Sequence, residues 1–379
     1  MKKKLIYATV ALALVYFLLL ITGNGYIYKA LYYNFADIDD YQIFESRTIK
    51  ASTNPQPWLF AQKYNERELS PALQKELDSL KTVSFLVIKN DSLIYEAYSD
   101  DYSFDSKSNS FSMAKSYVSA LIGVALTEGL IKSIDDPVAD YVDSFKEGSK
   151  SFISIKDVLM MSSGLSWSEG YSSPFSITTK AYYGDDINSL IHGLSAEEAS
   201  GVEWSYKSGD TQVLALILKS ITGKSLSEYM HEKLWGPMGY EQDAIWSLDH
   251  KDGVEKAYCC INTGARDFAR LIKLYMNKGA WNGKQLIDSS YVNASLIPHD
   301  LMYKNQKCNF YGYQWWLIPD YKGCQIFYAR GILGQFAIAI PEKNVIIVRL
   351  GHERGEKKEA TMHHILTYHM IDEVLTWFP

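Results

Sequence analysis

Phe111-Ser112-Met113-Ala114-Lys115 is the stretch from which the rest of the chain can be interpreted. It leads into the run MAKSYVSALIGVALTEGL, residues 113–130, in which apolar residues recur at helical spacing. Positions i and i+3 share a helix face, so the Lys115 ammonium can lie beside the Ser112 hydroxyl. Serine needs a base beside it to be a good nucleophile, and burial can lower the pKa of a lysine enough to serve. This single Ser-x-x-Lys of the sequence predicts a nucleophilic serine at a helix start.

A second candidate element is the segment WSYKSGD, residues 204–210, which precedes a predicted apolar helix over residues 211–222. A tyrosine beside a cationic lysine, as Tyr206 is beside Lys207, can lose its proton more readily and act as a general base. Ser208 would point to the same side if the segment is extended. The alternative for an isolated Tyr-x-Ser is a surface turn with a packed tyrosine ring.

A third candidate element is Ala329-Arg330-Gly331-Ile332-Leu333-Gly334-Gln335, on or between two predicted strands. Glycines within a strand pattern often mark a close approach of the backbone to a ligand. An exposed edge here can offer backbone N–H groups to a substrate carbonyl. The alternative is a tight hairpin turn.

Around these elements, β-rich runs lie at both ends of the body and helical patterns lie between them. The predicted strands are residues 83–88, 93–98, 325–330, 335–340 and 344–350. The further predicted helices are residues 153–159, 225–234, 265–277 and 357–378. This order predicts an α/β (α+β) fold, with an antiparallel sheet built from N- and C-terminal strands, flanking helices and a helical middle subdomain.

Composition predicts a globular body, with 47% hydrophobic and 22% charged residues. A net charge of −6 does not favour nucleic-acid binding. No Cys/His spacing suggests a metal, and we expect no cofactor. The cysteines are Cys259, Cys260, Cys308 and Cys324. We expect no bond between the adjacent pair, since disulfide geometry resists that closure; one bridge between distant cysteines, or four buried thiols, both stay open.

The N-terminal region carries no charge from Leu5 to Thr22, a run long enough to cross a bilayer as a helix. Lysines at positions 2–4 predict an N-terminus in the cytoplasm and a body outside it, periplasmic or extracellular. A cleaved signal peptide is the alternative, disfavoured by the length of the run and the poor cleavage site Gly23-Asn24-Gly25. We therefore expect a single-pass anchor at residues 1–24, a linker and N-terminal extension at 25–75, and a catalytic domain at 76–379.

Taken in this order, the three elements resemble the serine β-lactamase and penicillin-binding-protein-like superfamily. The likeness is to its class C-like branch, which includes D-alanyl-D-alanine carboxypeptidase-like proteins, esterases and 6-aminohexanoate-dimer hydrolase. It covers about residues 75–379. Supporting stretches are IDDPVADY at residues 134–141, LMMSSGL at 159–165 and LWGPMG at 234–239.

The resemblance implies a role for each matching residue. Ser112 is then the nucleophile, Lys115 helps to activate it, and Tyr206 is the base that later protonates the leaving group. The backbone N–H groups of Ser112 and Ile332 form the implied oxyanion hole. The implied substrate-binding residues are Ser208, Gly331, Gly334 and Gln335.

The sequence departs from the superfamily pattern at two places. Tyr206-Lys207-Ser208 stands where Tyr-x-Asn is frequent, and Ala329-Arg330-Gly331 stands where Lys-Thr-Gly or His-x-Gly is frequent. The Tyr-x-Ser form also occurs in the 6-aminohexanoate-dimer hydrolase type. The first position of the third element lacks the cation that helps to bind a substrate carboxylate, and neighbouring Arg330 should point to the opposite face. We therefore do not expect efficient β-lactamase activity.

These observations predict a membrane-anchored extracytoplasmic serine hydrolase that cleaves an amide or ester through an acyl-enzyme on Ser112. Its expected partners are a small-molecule or peptide substrate and, through the N-terminal helix, the membrane. The first alternative is a catalytically weak relative that binds cell-wall peptide or a protein partner. A second is a membrane-anchored assembly protein. Substrate identity and oligomeric state stay open at this level.

Overall fold

The computed structural model describes residues 2–358 and 361–378. Within them the α-helices, α1 to α12 in chain order, are Lys2–Ile21, Tyr26–Tyr33, Pro71–Ser79, Ala114–Thr127, Ile155–Leu159, Ile177–Tyr183, Ile187–His192, Ser208–Thr222, Leu226–Met230, Ala265–Met276, Ser289–Ser295 and Ile365–Trp377. The β-strands, β1 to β15, are Ser46–Ile49, Leu59–Phe60, Thr82–Lys89, Ser92–Tyr98, Ser108–Asn109, Ala244–Ser247, Ile261–Thr263, Ala280–Trp281, Lys284–Gln285, Met302–Tyr303, Gln306–Lys307, Trp316–Tyr321, Cys324–Gly331, Gln335–Ile340 and Val345–Gly351.

The main sheet joins strands from the two ends of the body, in the order β12-β13-β14-β15-β3-β4-β2. The junction is the antiparallel pair β15 and β3, in which Ile347 lies opposite Val87. All residues of β14 and β15 are buried, so both faces of the sheet centre are covered. Helix α10 packs against β14, β15 and β3. The predicted antiparallel sheet of N- and C-terminal strands, flanked by helices, is confirmed.

A second sheet, in the order β1-β6-β7-β5, joins two N-terminal strands to two strands from the middle of the chain and was not predicted. Its strand β5 leads directly into the turn that carries Ser112. Residues 25–75, expected as a linker and extension, contribute strands to both sheets. Strand β1 pairs antiparallel with β6, and β2 pairs in parallel with β4. Strands this short carry little hydrophobic alternation, so periodicity alone does not reveal them.

The predicted helices of the middle form and pack on one another. Helix α8 packs on both α4 and α5, which brings the second candidate element beside the first. Helix α5 begins at a capping box of Ser154 and Asp157, and α8 ends at Gly223 with a φ of 68°. These side-chain and glycine caps fix the ends that the sequence predicted for α5 and α8.

Two predicted helices differ from the structure. The helix predicted over residues 225–234 is α9 followed by a π-helical turn, His231–Trp235. The helix predicted over 357–378 begins only at Ile365, because Lys357 and His364 form an antiparallel bridge before it. Residues 359 and 360 of that prediction lie outside the described part of the chain.

The N-terminal helices differ in their surroundings. Helix α1 is long and apolar enough to cross a membrane and is not buried by the rest of the chain. Helix α2 follows it closely and packs against α6 of the body. Lys29 of α2 pairs with Asp185 at 2.6 Å, and the rings of Tyr33 and Tyr183 stack at 6.3 Å. Helix α2 is therefore part of the folded body.

Candidate active site

Ser112 lies in a 3₁₀ turn, Phe111–Met113, between strand β5 and helix α4. The residue before it, Phe111, has a φ of 42°, a conformation that costs free energy for a side chain of this size. Its backbone N–H donates to Asn109 Oδ1 at 2.8 Å, and Met113 N donates to Ser110 O at 3.1 Å. This sharp turn points Ser112 into a cavity while its neighbours in the turn are buried.

Lys115 is 1% exposed and lies on the first turn of α4. Its Nζ donates to Ser112 Oγ at 3.1 Å, to Ser208 Oγ at 3.1 Å and to the Tyr258 carbonyl oxygen at 2.8 Å. These three acceptors use the full donor capacity of an ammonium group, and none of them carries a charge. Burial lowers the pKa of Lys115 to about 7, although Glu169 and Asp210 raise it in part. Near neutral pH a large fraction of Lys115 is therefore an uncharged amine.

Tyr206 lies close to Ser112, near enough for the two side chains to interact. Its ring stacks on Trp316 at 5.8 Å, and Lys115 Nζ lies 5.1 Å from the ring centroid. Burial raises the pKa of Tyr206 well above its usual value, while the Ser112 contact and Arg330 lower it in part. The phenol is therefore protonated at neutral pH, and Lys115 is the group that can accept a proton first.

Ser208 begins helix α8 and is buried in contact with Lys115. Its backbone N–H donates to Glu169 Oε1, which also accepts from Trp167 Nε1 at 3.0 Å. The second oxygen, Glu169 Oε2, is buried without a hydrogen-bond partner among the described residues. Glu169 is thus a carboxylate close to the Lys115 site that no sequence motif indicated. A lone acidic residue in a loop carries no pattern that would have singled it out.

Asp210, on the first turn of α8, is a second buried acid close to the site. It accepts from Ser163 Oγ at 2.6 Å, and its other oxygen is buried without a described partner. Burial raises the pKa of Asp210 to about 7, against the lowering effects of Ser163 and Lys207. Asp210 belongs to the second candidate element, but no pattern in the sequence predicts a role for it.

Ile332 follows strand β13 and begins a 3₁₀ turn, Ile332–Gly334, that lines the same cavity as Ser112. The end of β13 comes very close to the 3₁₀ turn that carries Ser112. A Cβ on Gly331 would lie 2.3 Å from Ser110 O and 3.0 Å from Phe111 Cβ. Glycine is therefore required at position 331 for the two turns to meet. This contact brings the backbone of Ile332 to the Ser112 cavity, as the oxyanion-hole prediction needs.

Gly331, Gly334 and Gln335, predicted to bind substrate, shape this turn and do not line the cavity. Gln335 is fully buried; its amide donates to Gly351 O at 2.6 Å, and its Oε1 accepts from Gly351 N at 3.1 Å. Gly334 has a φ of 85° and lies against the buried Arg349 guanidinium, which donates to its carbonyl at 2.8 Å. The Gln335 side chain and the backbone of Gly334 are therefore engaged behind the turn, with the partners that shape it.

Arg330 packs against Trp316, the ring that stacks on Tyr206, and its charge lowers the pKa of Tyr206 in part. Its guanidinium sits 3.4 Å from the Trp316 ring centroid and donates to Met362 O at 2.6 Å. It does not line the cavity. A different cation, Arg354, does line it and was not indicated by the sequence.

Cys259 and Cys260 form a disulfide with each other, which corrects the expectation from the sequence. Cys308 and Cys324 are free and buried. The turn is held by tertiary hydrogen bonds: Cys260 O accepts from Ser247 N at 3.0 Å and from Asn262 Nδ2 at 2.8 Å. Cys260 has a φ of 73°, which an unsupported chain would rarely adopt. This support comes from residues around the turn, so the adjacency of the two cysteines along the chain does not reveal it.

The cavity at Ser112 has a volume of about 340 Å³. One part of its lining comes from the turn that carries Ser112, from the Tyr258–Cys259 segment and from the Ile332 turn. The other part comes from the loop and helix of residues 171–183 and from residues 30–36. Across the described ranges, no group of three or more His, Cys, Asp or Glu residues is arranged to hold a metal ion. The chemistry of the site is that of a hydroxyl, an amine of lowered pKa and a phenol.

The chain is similar to proteins of a known family. The family described as Beta-lactamase matches residues 72–367. The chain is 24% identical over 298 residues to the 6-aminohexanoate-dimer hydrolase of Paenarthrobacter ureafaciens, covering 74% of this chain and 75% of that protein.

Solved structures agree with this assignment at the level of the fold. A Bacillus anthracis protein, described as a candidate 6-aminohexanoate-dimer hydrolase, superposes with a TM-score of 0.79 at 23% identity, covering 90% of this chain and 94% of that one. A family VIII carboxylesterase superposes with a TM-score of 0.62 at 14% identity, covering 82% and 98%. The chain belongs to the beta-lactamase family and is a serine hydrolase of the amidase and esterase type.

Proposed function

We propose that this family member hydrolyses an amide or ester through a covalent acyl-enzyme on Ser112, with Lys115 and Tyr206 moving the protons. The observation that carries the proposal is the 3.1 Å contact between Lys115 Nζ and Ser112 Oγ. The amine is buried and has a pKa of about 7, so it can accept the serine proton at neutral pH.

In the first half-reaction, Ser112 Oγ forms a bond to the substrate carbonyl carbon, and its proton passes to the uncharged amine of Lys115. The oxyanion then lies against the backbone N–H groups of Ser112 and Ile332. When this tetrahedral intermediate collapses, the bond to the amine or alcohol breaks, and the phenol of Tyr206 protonates the leaving group. Lys115 then gives its proton to the Tyr206 phenolate, so that both groups return to their starting protonation states.

In the second half-reaction, a water molecule attacks the acyl carbon and gives its proton to Lys115. The bond to Ser112 Oγ breaks, the oxygen regains a proton, and a carboxylic acid leaves. Ser208 keeps Lys115 in place during both steps, because its hydroxyl accepts from Nζ and its backbone is fixed by Glu169. This assigns Ser208 a positioning role beside the one predicted for it in substrate binding.

Efficient β-lactam hydrolysis is not part of the proposal. The third element has alanine at position 329, and the Arg330 guanidinium is held by Trp316 and Met362 and does not line the cavity. The relatives are named as a 6-aminohexanoate-dimer hydrolase and a carboxylesterase, which supports an open-chain amide or ester as the substrate. The complete contact set at Ser112 also favours catalysis over a binding-only role toward cell-wall peptide or a protein partner.

We further propose that helix α1 anchors the protein as a single membrane span, with the catalytic body outside the cytoplasm. Support comes from the length and apolar character of Lys2–Ile21 and from the lysines at its start. A signal peptide that is removed remains the competing form. Mass spectrometry of the purified mature chain distinguishes the two by the presence or absence of residues 2–21.

The test of the catalytic proposal is covalent labelling of the full-length protein with an alkyl phosphonate, followed by peptide mass mapping and ester turnover. We expect an adduct on Ser112, and Ser112→Ala should lose both adduct and turnover. Ser172→Ala is the matched control, since Ser172 lines the same cavity but has no contact with Lys115. Retained turnover in Ser112→Ala, or no adduct and no turnover in the unaltered protein, would overturn the proposal.

A further inference from the structure

The segment immediately after the candidate membrane span forms one side of the active-site cavity. We name it the juxtamembrane wall, which consists of Ala30, Leu31, Asn34, Phe35 and Ala36. These residues line the same cavity as Ser112, Ser208 and Ile332. The wall is held on the body by the buried residues Tyr26 and Ile27 of α2 and by the Lys29–Asp185 ion pair. A wall fixed in this way takes part in selecting what enters the cavity.

The mouth of the cavity is apolar and exposed on this side. Leu31 is 68% exposed and Phe35 is 72% exposed, although both line the cavity. Other large apolar side chains exposed on α2 or on the loop across the cavity are Tyr28, Tyr32, Tyr171 and Phe175. Exposed apolar groups of this number mark a surface that meets another apolar body.

The position of the mouth relative to helix α1 indicates what that body is. Only residues 22–25 separate the end of α1 from the start of α2. The Tyr16 ring of α1 lies 5.6 Å from the Tyr28 ring of α2, edge to face. Tyrosines concentrate where a spanning helix leaves the hydrocarbon core, so the mouth of the cavity faces the bilayer interface when α1 spans the membrane.

The charges around the cavity limit the ligand further. Arg354 is the charged side chain among the described lining residues, and no carboxylate is among them. A substrate with a free ammonium group would find no counter-charge there, whereas an apolar chain would be covered by Leu31, Phe35 and Ile332. The lining therefore suits a neutral or anionic amphiphile.

We propose that the substrates are amphiphilic amides or esters with a long apolar chain, which enter from the membrane interface along the juxtamembrane wall. This inference rests on the proposed serine hydrolase function and adds its substrate class. The scissile carbonyl reaches Ser112 while the chain lies against Leu31 and Phe35. Burying that chain lowers the free energy of the bound state in proportion to the apolar area covered.

The test compares p-nitrophenyl decanoate with p-nitrophenyl acetate, using the full-length chain in phosphatidylcholine vesicles. We expect a higher kcat/KM for the decanoate. Leu31→Asp should lower that value by about tenfold while changing kcat/KM for the acetate by less than about twofold. Tyr32→Asp is the matched control, because Tyr32 is 72% exposed on the same helix but does not line the cavity; it should leave the ratio between the two esters unchanged.

The outcomes separate the two proposals. Hydrolysis of both esters without a preference for the longer chain, or an equal loss for both esters in Leu31→Asp, overturns the substrate class and leaves the hydrolase intact. Phe35→Ala tests the juxtamembrane wall a second time without introducing a charge. We expect it to lower kcat/KM for the decanoate and not for the acetate. If neither ester is hydrolysed and Ser112 takes up no phosphonate, the hydrolase proposal itself falls, and the substrate class falls with it.

Discussion

The Nζ atom of Lys115 lies 2.8 Å from the carbonyl oxygen of Tyr258, and this carbonyl directly precedes the Cys259–Cys260 disulfide. The contact adds a third, backbone acceptor to the two serine hydroxyls that hold the amine. Because a carbonyl is neutral, it orients Lys115 without stabilising its charge as a carboxylate contact would. The low pKa of Lys115 and its orientation thus have one structural origin, a buried site with neutral acceptors.

The pH dependence of turnover should follow this amine. We expect kcat/KM for a neutral ester to rise with pH and to level off above about 7, the pKa of Lys115, because only the uncharged amine accepts the Ser112 proton. Lys115→Met should lower kcat by about two orders of magnitude or more and abolish the rise. A flat profile in the unaltered enzyme would show that another group is the base. The measurement is the initial rate of ester hydrolysis between about pH 5 and about pH 9, a range that spans the expected midpoint.

Glu169 should tune that midpoint. Its charge raises the pKa of Lys115, so Glu169→Gln should shift the midpoint of the pH profile to lower pH. Glutamine keeps an oxygen that can accept from Ser208 N and Trp167 Nε1, so the loop should stay in place. Glu198→Gln is the control, since Glu198 lies 3.6 Å from Lys207 and not at Lys115. An unshifted midpoint would contradict the electrostatic role.

Tyr206→Phe removes the hydroxyl that contacts Ser112 and keeps the ring. We expect kcat to fall by about 10²–10⁴, the usual contribution of a positioned acid or base, with the melting temperature nearly unchanged. Tyr311→Phe is the control, because its ring packs 6.1 Å from that of Tyr206 and its buried hydroxyl has no described partner. Similar losses in both variants would point to packing as the cause. Steady-state kinetics and thermal unfolding provide the two readouts.

The adjacent disulfide predicts a definite thiol count. Denatured but unreduced protein should alkylate at Cys308 and Cys324 alone, and reduction should add Cys259 and Cys260. Replacing both residues of the pair by alanine should lower kcat several-fold, about 1 kcal/mol in activation free energy, because Tyr258 O then holds Lys115 less firmly. Peptide mass mapping checks the count. Alkylation of the adjacent pair before reduction would refute the assignment.

Lys256 lies fully buried outside the catalytic contacts, with no described hydrogen-bond partner. Burial lowers its pKa to about 7. The unfolded chain binds this proton up to a higher pH, so stability should rise with pH between about 7 and 10.5. Lys256→Met should stabilise the fold at pH 7 by roughly 1–3 kcal/mol and weaken that dependence. The free energy of unfolding is measured with denaturant at about pH 7 and about pH 9. If Lys256→Met is less stable than the unaltered protein at both, the buried charge is needed for the fold.

The sequence indicated the features that are local along the chain. Helical spacing predicted that Lys115 lies beside Ser112, β-rich runs predicted strands β3, β4, β13, β14 and β15 of the main sheet, and Gly223 marked the end of α8. Each depends on residues within about one or two turns of one another, where backbone geometry fixes which side chains meet. The order of the three elements then indicated the family and the antiparallel arrangement, which the comparisons and the structure confirm.

Long-range contacts were decided only in the folded chain. No local pattern predicts that Glu169 lies beside Ser208, that residues 30–36 line the cavity, or that Gln335 turns away from it to bond Gly351. The adjacent cysteines pair because distant residues support their turn. The sequence predicted Ser112 as the nucleophile, but it did not fix the low pKa of Lys115. Burial sets that pKa, and burial is a property of the whole packed structure.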